Sequence, residues 1–244
     1  MQKCCIVIPC YNEAERLLSA EFRAFVDDKT NFSILFVNDG SKDNTRAVLE
    51  KLCENNPKIN CFSLPKNQGK AEAVRTGALI ALRNPEISYV AYLDADLAIP
   101  LEEFYRLFEI TIANPNYEFT YLSKIPRKDA EVKQPFKRFF IGRVLAFMNR
   151  LSLQLPIYDT QCGCKLMTRE IAQVVFNTSF ISAWLFDIEI FWRILNQHNR
   201  AYFTKHTLEV PLNKLIERGP SSISGKALFK LPLEFLKIHR TYNK

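Results

Sequence analysis

Short apolar runs alternate with helically spaced ones through the first hundred residues. The runs at 4–9, 33–38, 60–64 and 89–94 predict strands, and the patterns at 13–27, 43–55 and 69–83 between them predict helices. Strands joined by helical crossovers give a mostly parallel sheet with helices on both faces, and ligands of such sheets bind beyond the carboxyl ends of the strands. Past Pro100 the alternation loosens into a helix at 102–113, a strand at 118–123, a basic loop, and a long helix at 136–155 closed by Pro156. A helix at 183–197, a strand at 203–210 and a final helix at 226–240 follow, and Pro232 argues for a break or a late start in the last one. With no linker, repeat or low-complexity stretch, the chain is expected to form one α/β domain over 1–225, with a basic, apolar, helical segment at 226–244.

The chain has 244 residues, 48% hydrophobic and 24% charged, enough to bury a sizeable core and incompatible with disorder, collagen or coiled coil. Its seven cysteines are an odd number without framework spacing, and Cys4, Cys5 and Cys10 crowd the first ten residues beside a predicted strand, so reduced thiols in a cytoplasmic protein are expected. No apolar run approaches the roughly 18 residues that span a bilayer, and a strand begins at Cys4 where a leader would need its basic and apolar regions. The net charge of +7 is uneven: −4 over 1–123, +6 over 124–150, 0 over 151–212 and +5 over 213–244. Two basic segments therefore face an anionic partner. Nucleic acid is disfavoured because they carry no recognition pattern, which leaves phosphate-bearing substrates and an anionic membrane surface.

Polar motifs stand where the sheet rule wants them. Pro9-Cys10-Tyr11-Asn12-Glu13 follows the first strand and Asn38-Asp39-Gly40-Ser41 the second. A strand-end acid accepts protons from a base or a ribose, and Gly40 permits a tight turn into a helix capped by Ser41 or Asp43; ordinary turn chemistry is the bland alternative. Asn67-Gln68-Gly69-Lys70 opens a helix, so backbone N–H groups and the Lys70 ammonium can meet an anion, although this is no Walker A loop. The fourth strand ends in Asp94-Ala95-Asp96. Residues two apart in a strand project to one side, so the carboxylates converge with no cationic partner nearby in sequence, and a hard divalent ion bridging a diphosphate relieves their repulsion.

This ordered set resembles the motifs of the family 2 glycosyltransferases, whose fold is the mostly parallel α/β GT-A type. The resemblance extends through Asp159-Thr160-Gln161-Cys162-Gly163-Cys164-Lys165 and Phe186-Asp187-Ile188-Glu189 to about Pro220. Its later motifs look most like the branch that glycosylates dolichyl and other polyprenyl phosphates, with Cys164 in place of a Phe. The resemblance implies a metal-dependent, inverting transfer from a UDP-sugar, UDP-glucose or a relative, with Mn²⁺ or Mg²⁺ as cofactor. It places Pro9, Tyr11, Glu13 and Asp39 at the uridine, Lys70 near the nucleotide, Asp94 at the ribose or metal, and Asp96 on the metal beneath the diphosphate. Asp159, Gln161, Asp187 and Glu189 are implied on the sugar and acceptor side. Some relatives follow the acidic pair with Leu-Gln and use the Gln as a further ligand, whereas this chain has Leu97-Ala98. Where Gly-Ser-Arg is common it has Leu122-Ser123-Lys124, so Lys124, Arg127, Arg138 and Arg143 become the candidate acceptor-side cations. The membrane anchors typical of that branch are not recognised within these residues.

Two acceptors fit this reading. A polyprenyl phosphate has its second pKa near 6, arrives largely as a dianion and needs cations more than a base. A sugar hydroxyl on a growing glycan must lose a proton during attack, which requires a carboxylate, Asp159 or Asp187. A binding protein without activity is the remote third reading. The stripe Phe136, Phe140, Val144, Phe147 and Leu151, flanked by Lys137, Arg138, Arg143 and Arg150, is either an interfacial helix or a helix packed on the sheet, and 226–240 poses the same choice. The expected location is cytoplasmic, peripheral on that face of the membrane. Cys162-Gly163-Cys164 is too closely spaced for an ordinary zinc site and reads as core thiols in a turn.

Overall fold

The computed structural model describes residues 2–127, 130–132, 136–216 and 225–243, and the side chains of all of these except 132–141 and 225–230. In chain order the elements are β1 (Lys3–Cys10), α1 (Ser19–Asp28), β2 (Phe32–Asn38), α2 (Thr45–Cys53), β3 (Ile59–Ser63), α3 (Lys70–Ala81), β4 (Ile87–Leu93) and α4 (Leu101–Ala113). There follow β5 (Phe119–Ser123), β6 (Glu131–Val132), α5 (Phe136–Leu153), β7 (Cys164–Thr168), α6 (Arg169–Phe176), α7 (Phe186–Gln197), α8 (Arg200–His206), β8 (Thr207–Pro211), β9 (Lys214–Leu215) and α9 (Gly225–Tyr242).

Seven strands form one sheet in the order β3-β2-β1-β4-β7-β5-β8, and β6 pairs with β9 apart from it. All neighbours in the large sheet are parallel except β7, which runs antiparallel to both β4 and β5. Strand alternation sorts the core into two layers. Cys5 and Val7 of β1 and Val90 and Tyr92 of β4 face the layer built by α3, α6, α7 and the inner sides of α5 and α9. Cys4, Ile6 and Ile8, with Tyr89, Ala91 and Leu93, face α1, α2 and α4. Chain order reverses between β1 and β4, and a crevice opens at such a point beyond the carboxyl ends.

The sequence expectations hold for the strands and helices up to Ser123 with shifted ends. The first helix starts at Ser19, because residues 13–18 are held in a turn in which Leu17 N–H donates to the Glu13 carbonyl at 2.9 Å. Residues 203–210 divide into the end of α8 and β8, and α6 and β7 lie where no element was expected. Helix α9 runs through Pro232 instead of starting after it, with the proline on its exposed face. It belongs to the main core, since Leu231, Phe235 and Ile238 are buried in the α3/α6/α7 layer. Among the described residues no helix is long and apolar enough to cross a membrane.

Of the α5 stripe, the described part faces outward, and the Phe136 and Phe140 side chains lie outside the described residues. Val144, Phe147 and Leu151 are exposed, Phe147 and Leu151 by more than 60%, while Leu145, Met148 and Leu153 pack inward. On α9, Leu233 and Leu236 are exposed likewise.

Candidate active site

The loops after β1, β2 and β3 are stitched into one unit. Asn12 N–H donates to Ser41 Oγ at 3.0 Å and Glu13 N–H to Thr45 Oγ1 at 2.8 Å, while Asn12 Oδ1 accepts from Lys42 N–H at 2.9 Å. The α2 N-terminus is served by Asp43, whose Oδ1 accepts from Thr45 N–H at 3.0 Å; Ser41, the other expected cap, is spent on the β1 loop instead. Gly40 has φ +61° and its Cα lies against the backbone of Lys66 and Asn67, leaving no room for a Cβ. Asp39, 3% exposed, accepts from Gln68 N–H at 2.7 Å and Gly69 N–H at 2.9 Å. Its carboxylate thus fixes the entry into α3, and burial raises its pKa against those bonds.

Strand β4 ends at Leu93, so Asp94 and Asp96 stand in a turn and not in the regular strand their spacing suggested. Leu97 adopts φ +49°, and Asp96 Oδ1 accepts from Ala98 N–H at 2.9 Å. The two carboxylates still share one space, since both act electrostatically on Glu13 and Lys70. The cation that the sequence did not supply nearby is Lys70, whose Nζ lies 2.5 Å from Asp94 Oδ1. Glu13, nearly buried, is gripped by the Arg16 guanidinium, and burial raises its pKa against that partner. Tyr11 is 38% exposed at the rim, just past the end of β1, and Pro9 is the penultimate residue of that strand.

Antiparallel pairing of β4 and β7 brings the later motif against this pair: Leu93 is opposite Cys164, and Asp94 N–H donates to the Gly163 carbonyl at 3.2 Å. A Cβ on Gly163 would collide with the Asp94 carboxylate, which is why a glycine stands between two buried cysteines. Cys162 and Cys164 are free thiols, and burial pushes Cys162 up to about 12.

One register row of the sheet carries Tyr92, Lys165, Tyr121 and Glu209 on β4, β7, β5 and β8. Lys165 is fully buried; its Nζ donates to the Cys162 carbonyl at 2.9 Å, to Tyr92 Oη at 2.9 Å and to Asp187 Oδ1 at 2.5 Å. The Tyr92 hydroxyl also donates to Asp187 Oδ1. At the far end Glu209 accepts from Tyr158 N–H at 2.9 Å and Asp159 N–H at 2.8 Å, setting the loop that carries Asp159. Asp159 accepts from Gln161 N–H at 2.9 Å and Lys124 N–H at 3.3 Å, with the Lys124 ammonium at 3.8 Å. The Gln161 side-chain nitrogen is buried without a hydrogen bond.

Lys165 and Tyr92 are the residues that sequence reasoning left without a role. Lys165 ended a quoted motif, and its charge inside an otherwise apolar strand was the available signal. Glu189 departs from its expected place on the acceptor side. It is fully buried, accepts from Ile181 N–H at 3.0 Å and Ser182 N–H at 2.9 Å, and is reached by Tyr242 of α9, so it holds the 181–182 loop. Of the acceptor-side cations, Arg143 lies over the Tyr158 ring at 3.8 Å and donates to its carbonyl, and Arg127 reaches Asn213. The Arg138 side chain lies outside the described residues.

The donor set at Asp94 and Asp96 suits a hard divalent ion. Apart from the Lys70 ammonium, the buried Asp94 Oδ1 has no hydrogen-bond partner among the described residues, and carboxylates are the oxygen ligands such ions prefer. Among the described residues no group of three or more His, Cys, Asp or Glu is arranged to hold a metal.

The model of the family described as Glycosyl transferase family 2 matches residues 5–176. The chain is 29% identical over 245 residues to a dolichyl-phosphate beta-glucosyltransferase of Trichomonas vaginalis, covering 95% of this chain and 69% of that protein. It is 32% identical over 203 residues to the Dictyostelium discoideum dolichyl-phosphate beta-glucosyltransferase, covering 77% of this chain and 60% of the relative. The fold is similar to that of Mycobacterium tuberculosis glucosyl-3-phosphoglycerate synthase crystallised with Mn²⁺, UDP-glucose and phosphoglyceric acid. That match has a TM-score of 0.69 at 14% identity, over 98% of this chain and 80% of the other. With the family match spanning well over half its length and the strand-end motifs in their places, the chain belongs to glycosyltransferase family 2 and has the GT-A fold.

Proposed function

We propose that this enzyme transfers glucose from UDP-glucose to dolichyl phosphate or a similar polyprenyl phosphate, with inversion at the anomeric carbon. The observation that carries the acceptor assignment is the state of the two candidate bases. Asp187 is spent on the buried Lys165 ammonium and the Tyr92 hydroxyl, and Asp159 on two backbone N–H groups and the Lys124 ammonium. Both carboxylates already have a cationic partner within the protein, so the site suits an acceptor that arrives already charged. The dolichyl-phosphate relatives support the same acceptor, and the neighbour bound to Mn²⁺ and UDP-glucose supports the donor and metal.

In this reading Tyr11 and Pro9 flank the uracil, while Asp39 and Glu13 shape the pocket that receives the uridine. Asp94 and Asp96 hold Mn²⁺ or Mg²⁺, which when bound neutralises the charge that develops on the departing UDP. Lys70 adds an ammonium on the donor side. Lys124 and Arg143 orient the acceptor phosphate, one through the Asp159 loop and the other braced on Tyr158. The exposed Phe147, Leu151, Leu233 and Leu236, with Arg150, Lys237 and Arg240 also exposed, suit peripheral attachment to an anionic membrane where the acceptor resides.

The test is nucleotide release by the purified protein with Mn²⁺ or Mg²⁺, UDP- and GDP-sugars, and a polyprenyl phosphate in liposomes. The expected outcome is release stimulated by the lipid with UDP-glucose, a glycolipid product, and loss of at least about a thousandfold in Asp96→Ala. Release stimulated only by saccharides would transfer the assignment to a hydroxyl acceptor.

A further inference from the structure

Asp94 lies in a line of alternating charges. Its Oδ1 is buried and meets the Lys70 ammonium at 2.5 Å, while Gly163 closes another side of the carboxylate. The ammonium therefore stands where positive charge is required at the acidic pair. Lys70 is the first residue of α3, and its backbone is anchored by Asp39 through Gly69, whose φ is +92°. The four-carbon stem beyond that anchor has rotatable bonds of its own. The same ammonium lies 5.8 Å from the Tyr92 ring centre and 5.9 Å from that of Phe186, and it feels the Asp187 carboxylate. Those two rings border the ammonium where it stands against Asp94, and Asp187 beyond them is already held by Lys165.

We propose that Lys70 is a resident cation that occupies the Asp94 half of the metal site until a divalent ion arrives, and then turns from Asp94 to the donor diphosphate. The inference rests on the reading that Asp94 and Asp96 ligate the metal. Its consequence is coupling between metal and nucleotide. A divalent ion alone must displace an ammonium from Asp94 and leave it without that partner. An ion arriving with a nucleoside diphosphate gives Lys70 a new anion, so each ligand strengthens the other's binding by the same factor.

The experiment is a Mn²⁺ titration of the protein with and without UDP, read from the electron paramagnetic resonance of free Mn²⁺. Without nucleotide, Lys70→Gln is expected to bind Mn²⁺ about tenfold more tightly than wild type, because one nearby positive charge has been removed. The tightening that UDP produces in wild type shrinks correspondingly in the variant. Equal or weaker Mn²⁺ binding by Lys70→Gln overturns the proposal. If that variant does not fold, wild-type protein decides: Mn²⁺ without nucleotide must raise the rate at which an amine-reactive reagent labels Lys70, and an unchanged rate overturns it. A wild type that binds no Mn²⁺ even with UDP overturns the metal reading itself, whereas binding that ignores Lys70 overturns this inference alone.

Discussion

The donor side and the acceptor side use acidic residues in opposite ways. On the donor side Asp94 and Asp96 stand half-exposed at the end of β4, over a base stitched by Asp39, Asn12, Ser41 and Thr45. On the proposed acceptor side Asp159 and Asp187, and Glu189 beyond it, point into the protein, where they hold backbone N–H groups and two lysine ammonium groups. An acid in a motif therefore has two callings: to present charge to a ligand, or to keep a loop or cation where the ligand needs it. The two kinds respond differently to substitution.

The largest stability effect belongs to the buried pair. Lys165→Met leaves Asp187 without its counter-charge and is expected to cost about 3–5 kcal/mol in urea unfolding, whereas Lys165→Met combined with Asp187→Leu recovers most of that loss. If the double variant is no more stable than the single one, the pair is not the unit described here.

A smaller effect is expected at Glu189. Glu189→Gln weakens the hold on Ile181 and Ser182 and should cost about 1–3 kcal/mol. Burial raises the folded-state pKa of Glu189 above its ordinary 4.5, so the folded chain keeps a proton that the unfolded chain releases. The stability this provides is full below the unfolded value and is lost as pH rises through the folded one. Thermal melts from about pH 4 to about pH 7 should show the wild-type advantage over Glu189→Gln narrowing as pH rises; a widening gap would contradict the sign. The smallest effect is at the exposed stitching: Asp43→Ala removes the bonds to Thr45 and Ala14 and should cost about 1 kcal/mol in the same melts.

The gathering of the proposed donor-side residues was legible in the sequence because they sit at the ends of apolar runs, and a parallel sheet converts that position into a crevice. Pro9 to Glu13, Asp39, Lys70 and the Asp94/Asp96 pair all lie there. The acceptor side was less legible because it depends on β7, a five-residue strand with a lysine at its second position, which breaks the apolar signal that identifies a buried strand. Without β7, the pairing that sets Lys165 beside Tyr92 and Gly163 against Asp94 has no expression in local pattern. The direction of a side chain was likewise hidden: Glu189 and Asp187 occupy one turn of α7, and only packing sends one to the 181–182 loop and the other to Lys165. The α5 stripe was visible as a stripe, and the outward facing of Val144, Phe147 and Leu151 depended on which side the core took.

The central claim is that the acceptor needs cations and no general base. The most direct measurement is the rate of glucose transfer from UDP-glucose to a polyprenyl phosphate by Asp159→Asn, which keeps an oxygen for Gln161 N–H and removes the charge. The account predicts kcat within about tenfold of wild type. A fall by the factor of about 10²–10⁴ that a general base supplies would contradict it and make Asp159 the proton acceptor.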